Sequence, residues 1–166
     1  MLFRSLENLI KAWNEINDEN WSLDIYGPSD DKQYLNKLIL INKSSKINFF
    51  NAIYKNSEKI KLFEKYDLFV LPTSSENFGI VILESLARGL PVLTTSSVPW
   101  NSIKVNNAGW IIKNDYSKLV MILRKIFKSK KNIFHIKSKN AIELAKKYSW
   151  KNVVKTYEET YKTLLN

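Results

Sequence analysis

The sequence predicts an α/β fold built on a doubly wound parallel sheet, in a single domain that covers residues 1–166. Short apolar runs alternate along the chain with longer segments that carry apolar residues at helical spacing, the pattern of parallel strands connected by helices. No internal repeat or linker interrupts this alternation. The chain of 166 residues, 45% of them hydrophobic, has the length of one domain and can bury a substantial core.

Each element is predicted from its apolar spacing and from the residues that start or stop it. Ser5 can cap a first helix whose apolar stripe comprises Leu6, Leu9, Ile10, Trp13 and Ile16. Short apolar runs predict strands at 22–26, 46–50, 68–71, 91–94 and 108–112. The other helices are expected at 31–41, 57–65, 79–88, 115–129, 133–147 and about 150–165, and a loop is expected from Pro99-Trp100.

The segment 68–94 carries the most informative motif. Residues 68–71 form a short apolar run that ends at Pro72, as expected of a strand buried in a parallel sheet. Small hydroxyl residues and then Gly79 lead into a mostly apolar helix. A helix that begins just beyond the carboxyl end of a buried strand directs free N–H groups and partial positive charge into the crevice where open α/β sheets bind ligands. The motif therefore predicts a binding site for an anion.

Two carboxylates flank this anion site. Glu76 precedes the helix and Glu84 lies within it, a separation of about 12 Å of helical rise and about 80° of rotation. Ionised carboxylates accept hydrogen bonds from vicinal hydroxyls, so the pair suits a nucleotide-sugar, whose phosphates lie between two sugars. For either residue alone a structural explanation is equally open, because glutamates also complement helix N-termini or face solvent. The apolar neighbours of Glu84 favour a helix that is buried on most sides.

The run from Glu76 to Glu84, ENFGIVILE, resembles the paired-glutamate signature of retaining GT-B glycosyltransferases, specifically the glycosyl transferase group 1 family. Similar stretches extend along nearly the whole chain: Phe3–Ile10 at the entry to the first helix, Leu23–Pro28 at a strand that ends in Gly, Lys46–Phe50 beside the nucleobase, Ala87–Val92 at an A-x-G-x-P-V turn, and Tyr148–Trp150 at the start of the closing helix. The resemblance implies a Rossmann-like domain that binds the sugar donor, the C-terminal half of a GT-B fold.

The resemblance also implies roles for individual residues. Glu84 falls on the glutamate that hydrogen-bonds the ribose hydroxyls, and Glu76 falls on the catalytic position that contacts the transferred sugar. Arg4 takes the place of the lysine of the phosphate clamp and keeps its charge. The turn that offers backbone amides to the diphosphate and sugar falls on Phe78 to Ile80. The donor-binding positions implied are Arg4, Asn77, Phe78, Gly79, Ile80 and Glu84.

Three departures from the family pattern affect what is expected of this chain. Met1 lies almost at the phosphate clamp, so the first strand of the sheet, and the arginine that normally precedes the clamp, are expected to be missing. Asn51 stands where a glycine is common beside the nucleobase, which leaves the identity of the base open. The family binds its acceptor mainly through an N-terminal domain, so we expect that these 166 residues alone transfer no sugar.

The net charge of +10 comes almost entirely from lysine. Lysines interleaved with Asn and Ile are typical of a biased base composition, and that explanation stands beside attraction to an anionic membrane. The lysines that would provide this attraction cluster around a predicted helix break and are Lys125, Lys128, Lys130, Lys131, Lys137 and Lys139. A nucleic-acid-binding module is disfavoured, because the sequence has no RNP-like, zinc-finger or helix-turn-helix pattern.

The sequence gives no indication of a metal site or a cofactor. His135 is the only histidine, cysteine is absent, and no Asp-x-Asp motif occurs, so metal-independent chemistry is expected, with the nucleotide-sugar as substrate. No apolar run approaches the roughly 20 residues of a spanning helix, and no signal peptide is evident. We therefore expect a cytoplasmic location, or a peripheral one at the inner membrane surface.

The resemblance to the family implies an enzyme of the hexosyltransferase type that acts in polysaccharide biosynthesis. The chain would be the donor-binding domain of a retaining glycosyltransferase, which moves a sugar from a nucleotide-diphosphate-sugar to a glycan or lipid-linked acceptor. The alternative is a non-catalytic nucleotide-binding or interaction module, half of a split protein. The closing helix from Trp150 is expected to leave apolar surface uncovered, which promotes self-association.

Overall fold

The computed structural model describes residues 4–164, apart from the side chains of Arg4, Ser5, Thr156 and Leu164. The helices are α1 (Arg4–Ile16), α2 (Lys32–Ile41), α3 (Asn56–Phe63), α4 (Ile80–Ala87), α5 (Ser102–Val105), α6 (Tyr116–Phe127), α7 (Lys131–Lys146) and α8 (Trp150–Leu164). The strands are β1 (Leu23–Gly27), β2 (Ile47–Asn51), β3 (Phe69–Leu71), β4 (Val92–Thr95) and β5 (Gly109–Ile112). Every predicted element is present close to its predicted bounds, and α5 is an addition within the expected loop.

All strand pairs are parallel, which confirms the predicted fold class. β1 pairs with β2, and β4 lies between β3 and β5. The hydrogen bonds form a two-stranded sheet and a three-stranded sheet. In the part of the chain that the structure describes, no ladder joins β1 to β3, and each of these strands keeps one edge without a strand partner. That the first strand of the family's sheet is missing stays a prediction.

A hydrophobic core bridges the two sheets. The predicted stripe of α1 is buried in this core or packs against it, through Leu6, Leu9, Ile10, Trp13 and Ile16. The same cluster includes Ile25 of β1 and Leu93 of β4. Packed side chains therefore connect the two sheets where no strand ladder does. Burial of large apolar side chains is the main favourable contribution to folding, so this core can hold the sheets together.

A second cluster fixes α4 against the three-stranded sheet and α7. Ile82 and Leu86 of α4 are fully buried together with Val92 of β4 and Trp100. Leu144 of α7 packs into the same cluster. This packing sets the position of α4 relative to the carboxyl end of β3, which it follows in the chain.

Lys137 is a structural residue and not part of a basic surface. It is 7% exposed, and its Nζ donates to Oδ1 of Asn107 at 2.6 Å and to the carbonyl oxygen of Gly109 at 3.1 Å. The Nζ also lies 4.5 Å from the ring centroid of Trp110. Burial lowers the pKa of Lys137, and the nearby charge of Lys125 lowers it further. The prediction that Lys137 belongs to a membrane-facing cluster is therefore wrong.

A polar network links β1 to the segment just before β3. The Tyr66 hydroxyl donates to Oδ2 of Asp24 at 2.7 Å and lies 2.9 Å from the Tyr26 hydroxyl. Asp24 also accepts a hydrogen bond from Nδ2 of Asn48 at 2.8 Å. Burial, followed by the hydrogen bonds to Tyr26 and Asp24, raises the pKa of Tyr66. Its phenol is therefore harder to ionise in the folded chain than in the unfolded chain.

This network predicts a loss of stability at alkaline pH. A tyrosine whose folded pKa is raised stabilises the fold below the unfolded pKa of about 10 and loses this effect as the pH rises towards the folded pKa. Burial also raises the pKa of Tyr34, to about 12, so the free energy of unfolding should fall above about pH 10. In Tyr66→Phe this fall should be shallower. Urea denaturation at a series of pH values measures it, and a slope in Tyr66→Phe as steep as in Tyr157→Phe, an exposed control, would contradict the prediction.

Candidate functional site

The turn between β3 and α4 has the backbone geometry that the motif predicts. Pro72 is buried just after β3, and α4 begins after Gly79, which has a left-handed φ of 73°. A Cβ atom on Gly79 would lie 3.1 Å from Cγ of Glu76 and 3.1 Å from Cδ1 of Ile82. Both the positive φ and the close contacts favour glycine here. Gly79 thus allows the chain to reverse tightly and begin a helix beside the end of the strand.

Hydroxyl groups of the next strand fix the turn to the sheet. Oγ1 of Thr94 donates to the carbonyl oxygen of Leu71 at 2.9 Å, and Oγ1 of Thr95 donates to that of Thr73 at 2.5 Å. Both threonines are buried. The sequence analysis missed their role, although two hydroxyl residues at the carboxyl end of a buried strand are a usable signal.

An aromatic cluster supports the other end of the turn. Nε1 of Trp100 donates to the carbonyl oxygen of Phe78, and the two ring centroids are 5.2 Å apart. Tyr148 packs on Trp100 with centroids 4.8 Å apart. Trp100 was predicted only as part of a loop, and no local sequence pattern indicates that it reaches back across the chain to Phe78.

The first turn of α4 presents unpaired backbone donors. Gly79 has no side chain to cap the helix, and the first N–H groups of an α-helix have no acceptor within the helix. The N–H of Ile82 bonds to the Gly79 carbonyl oxygen at 2.8 Å, whereas the N–H groups of Ile80 and Val81 have no acceptor in the part of the chain that the structure describes. Ile80 is 67% exposed, so the N-terminus of α4 is accessible to a ligand. An accessible helix N-terminus attracts negative charge.

Glu76 and Asn77 lie exposed in the turn. In this structure Oε1 of Glu76 accepts a hydrogen bond from the backbone N–H of Asn77 at 3.1 Å. The carboxylate is therefore close to the helix N-terminus, on the solvent side of the turn. Phe78, also predicted as a site residue, is 39% exposed and lies in the same turn.

Glu84 lies within α4 and forms an ion pair that the sequence analysis did not anticipate. Nζ of Lys59, on α3, lies 2.6 Å from Oε1 of Glu84. The side chains of Lys59 and Glu84 are 26% and 31% exposed, and an ion pair with this much solvent contact adds only about 0–1 kcal/mol to stability. α4 is buried on most sides, as expected: Ile82, Ser85 and Leu86 are buried, and the exposed Ile80 and Ala87 lie seven residues apart, on one face of the helix.

Arg4 and Asn51, two further positions singled out from the sequence, lie outside the turn between β3 and α4. Arg4 is the first residue of α1, but its side chain is outside the described part of the structure, so its place in the clamp stays a prediction. Asn51 ends β2 and is exposed. His135 is exposed on α7. Within residues 4–164, no three side chains of His, Asp or Glu gather in a group that could hold a metal ion.

Gly79→Ala should lower the free energy of unfolding by about 1–2 kcal/mol, because an L-residue is strained at a left-handed φ. Gly27→Ala is the matched control, since a Cβ atom at Gly27 would meet nothing within 4 Å. Chemical denaturation of both variants measures the difference. Equal stability of the two variants would contradict the proposed conformational role of Gly79.

One protein family and several individual proteins resemble this chain. The family described as glycosyl transferases group 1 matches residues 4–148. An uncharacterised glycosyltransferase of Methanocaldococcus jannaschii is 28% identical over 163 residues, which cover 96% of this chain and 42% of that protein. The alpha-monoglucosyldiacylglycerol synthase of Acholeplasma laidlawii is 27% identical over 165 residues, which cover 98% of this chain and 41% of that protein. The chain thus spans about two fifths of the length of these relatives.

Solved structures share the fold. WaaG, a glycosyltransferase involved in lipopolysaccharide biosynthesis, matches with a TM-score of 0.68 and 27% identity over 86% of this chain and 38% of that chain. Anabaena Alr3699/HepE, solved in complex with UDP and glucose, matches with a TM-score of 0.70 and 18% identity over 95% of this chain and 43% of that chain.

None of the helices within residues 4–164 is both long and apolar enough to cross a membrane.

Proposed function

The chain belongs to the glycosyl transferases group 1 family, and from this premise we propose that it is the donor-binding domain of a retaining GT-B glycosyltransferase. The donor would be a nucleotide-diphosphate-sugar. The observation that carries the proposal is the open N-terminus of α4, with Glu76 before it and Glu84 within it. This arrangement offers an anion site between two groups that accept hydrogen bonds from sugars.

The diphosphate would bind at the N-terminus of α4. The free N–H groups of Ile80 and Val81 and the partial positive charge of the helix favour an anion there. Negative charge grows on the diphosphate as the bond to the sugar breaks, and prearranged donors stabilise such charge strongly. Arg4 would add a positive charge on the same side, as the resemblance to the family implies. No metal ion has a part in this proposal.

The two carboxylates would bind the two ends of the donor. Glu84 would accept hydrogen bonds from the ribose hydroxyls, and Glu76 would contact the transferred hexose and orient it. Asn77, Phe78 and Gly79 would line the sugar and diphosphate through the turn that connects the two glutamates. The structure of Alr3699/HepE with UDP and glucose supports a donor of this chemical class.

The proposed acceptor is a glycan or a lipid-linked molecule in polysaccharide biosynthesis. Acceptor binding is assigned to an N-terminal domain outside these 166 residues, because the chain spans about two fifths of its relatives. We therefore assign no transfer activity to the chain by itself. Two similar proteins support an acceptor at a membrane. One is the alpha-monoglucosyldiacylglycerol synthase, and the other is WaaG, which is involved in lipopolysaccharide biosynthesis.

A basic surface supports a peripheral position at the cytoplasmic face of a membrane. Residues 116–142 contain no Asp or Glu, and their exposed lysines include Lys125, Lys128, Lys130, Lys131 and Lys139. Met121 of α6 lies on the same exposed stripe as Lys118 and Lys125 and is 58% exposed. An apolar side chain among lysines suits a lipid headgroup layer better than a nucleic acid, and each lysine near an anionic surface contributes about 1 kcal/mol.

Co-sedimentation with vesicles tests this surface. Lys125→Glu/Lys128→Glu should weaken binding to vesicles of phosphatidylglycerol at least tenfold, about 1 kcal/mol for each lysine lost and more for the reversed charge. Lys61→Glu/Lys65→Glu, on exposed lysines elsewhere, is the control of equal charge. Equal loss in both variants would show that only net charge matters. Binding to duplex DNA as tight as to the vesicles would also contradict the membrane assignment.

The second candidate is a non-catalytic nucleotide-binding or interaction module that works with a separate chain. The exposed face of α8 favours it, because Trp150, Tyr157 and Tyr161 are 83%, 62% and 63% exposed. Such a patch promotes association with another protein surface. Self-association of the chain at high concentration, measured by sedimentation, would be the expected result of this exposed face.

Calorimetric titration of two variants tests the assignment of the glutamates. Glu84→Gln should weaken binding of UDP about 10- to 100-fold, because it removes the charge that strengthens the hydrogen bonds from ribose. It also removes the ion pair with Lys59, but a pair this exposed adds only about 0–1 kcal/mol to stability, so the fold should be retained. Glu76→Gln should leave UDP affinity unchanged and weaken only the discrimination among UDP-sugars, since its proposed partner is the sugar.

The two variants are matched controls for each other, because each removes one carboxylate charge from the same motif. GDP and ADP are titrated alongside UDP, and the tightest of the three is used for the comparison. If Glu84→Gln binds that nucleotide as tightly as the parent chain does, the ribose assignment is wrong. Glu84 would then be a structural residue of α4.

A further inference from the structure

We infer that Lys59 is a positioning residue of the donor site, which holds the Glu84 carboxylate in the orientation that accepts the ribose hydroxyls. This inference rests on the proposed function, because it assigns Lys59 a task at the site proposed for the nucleotide. Lys59 lies on α3, which follows β2 in the chain. Its ion pair therefore connects α3, the helix after the proposed nucleobase strand, with α4, the helix that carries the proposed ribose-binding residue Glu84.

The contact between the two residues is short and charge-assisted. Nζ of Lys59 lies 2.6 Å from Oε1 of Glu84, just below the range of about 2.7–2.9 Å that is usual for N–H···O hydrogen bonds between ionised groups. The side chains are 26% and 31% exposed, so the pair is partly shielded and still accessible to a ligand.

The pairing leaves one carboxylate oxygen for a ligand. Among the described residues, Lys59 contacts Oε1 of Glu84, and no hydrogen bond to Oε2 is present. An ionised carboxylate has about four lone-pair sites, so Oε2 and the second lone pair of Oε1 remain open to vicinal hydroxyls. The terminal torsion of glutamate is broad, and an ammonium group on one oxygen restricts it before the ligand arrives. Such preorganisation reduces the cost of binding.

A purely structural role is the competing explanation. Ion pairs with this degree of exposure stabilise folds weakly, and the proposed role predicts an effect on affinity that a structural role does not. Lys61 offers a matched control, because it is an exposed lysine on the same helix. Its removal changes the net charge by the same amount without touching Glu84.

The test is calorimetric titration of the 166-residue chain with UDP, or with GDP or ADP in its place if the parent chain binds one of these more tightly. Lys59→Met should weaken UDP binding about three- to tenfold, which lies within the range of coupling between residues in direct contact. Lys59→Arg, which keeps the charge, should stay within about twofold of the parent chain, as should Lys61→Met. The double variant Lys59→Met/Glu84→Gln should have an affinity for UDP within about twofold of that of Glu84→Gln, because Lys59 acts through Glu84.

Several outcomes would overturn the inference. These are a Lys59→Met affinity equal to that of Lys61→Met, a tighter affinity in Lys59→Met, or a loss in Lys59→Arg as large as in Lys59→Met. Thermal melts show whether each variant is folded, and Lys59→Gln, with the same expected loss, replaces Lys59→Met if that variant is unfolded. If the parent chain binds none of UDP, GDP and ADP, the proposed function fails and Lys59 loses its role with it. Binding by the parent without an effect of Lys59 overturns this inference alone.

Discussion

The left-handed conformation of Gly79 is the constraint on which the candidate site depends. It lets the chain turn within a few residues from the end of β3 into the start of α4, so the unpaired N–H groups of that helix open at the carboxyl edge of the sheet. The turn is held by threonine hydroxyls of β4 on one side and by Trp100 on the other. The backbone that would bind the diphosphate is therefore fixed before any ligand is present.

Charge is distributed around this turn in a way that suits a nucleotide-sugar. Partial positive charge lies at the N-terminus of α4, while Glu76 and Glu84 lie on either side of it in the sequence. The ion pair between Lys59 and Glu84 restrains one of these carboxylates, because Lys59 contacts one of its two oxygens and leaves the other for a ligand. Exposed lysines on and between α6 and α7 include Lys125, Lys128 and Lys131, whereas Lys137 is buried.

The sequence was sufficient to predict the elements, their order and the turn between β3 and α4, because these depend on short-range patterns. Apolar spacing located α1 and the strands, and the ENFGIVILE motif located the turn around Gly79. Long-range contacts were not predictable in this way. The bond from Trp100 to Phe78, the ion pair from Lys59 to Glu84 and the burial of Lys137 join residues far apart in the chain. The division into two sheets depends on strand pairing across the whole fold.

Amide chemical shifts during a nucleotide titration show directly whether the N-terminus of α4 binds the diphosphate. A ¹⁵N-labelled chain is titrated with UDP, and the backbone N–H signals are followed by NMR. If the diphosphate binds at the N-terminus of α4, the largest shifts are expected at Gly79, Ile80 and Val81, with smaller ones at Lys59 and Glu84, and little change along α6 and α7. Saturable shifts confined to the basic surface of α6 and α7, or no saturable shift at the N-terminus of α4 with UDP, GDP or ADP, would contradict this binding site.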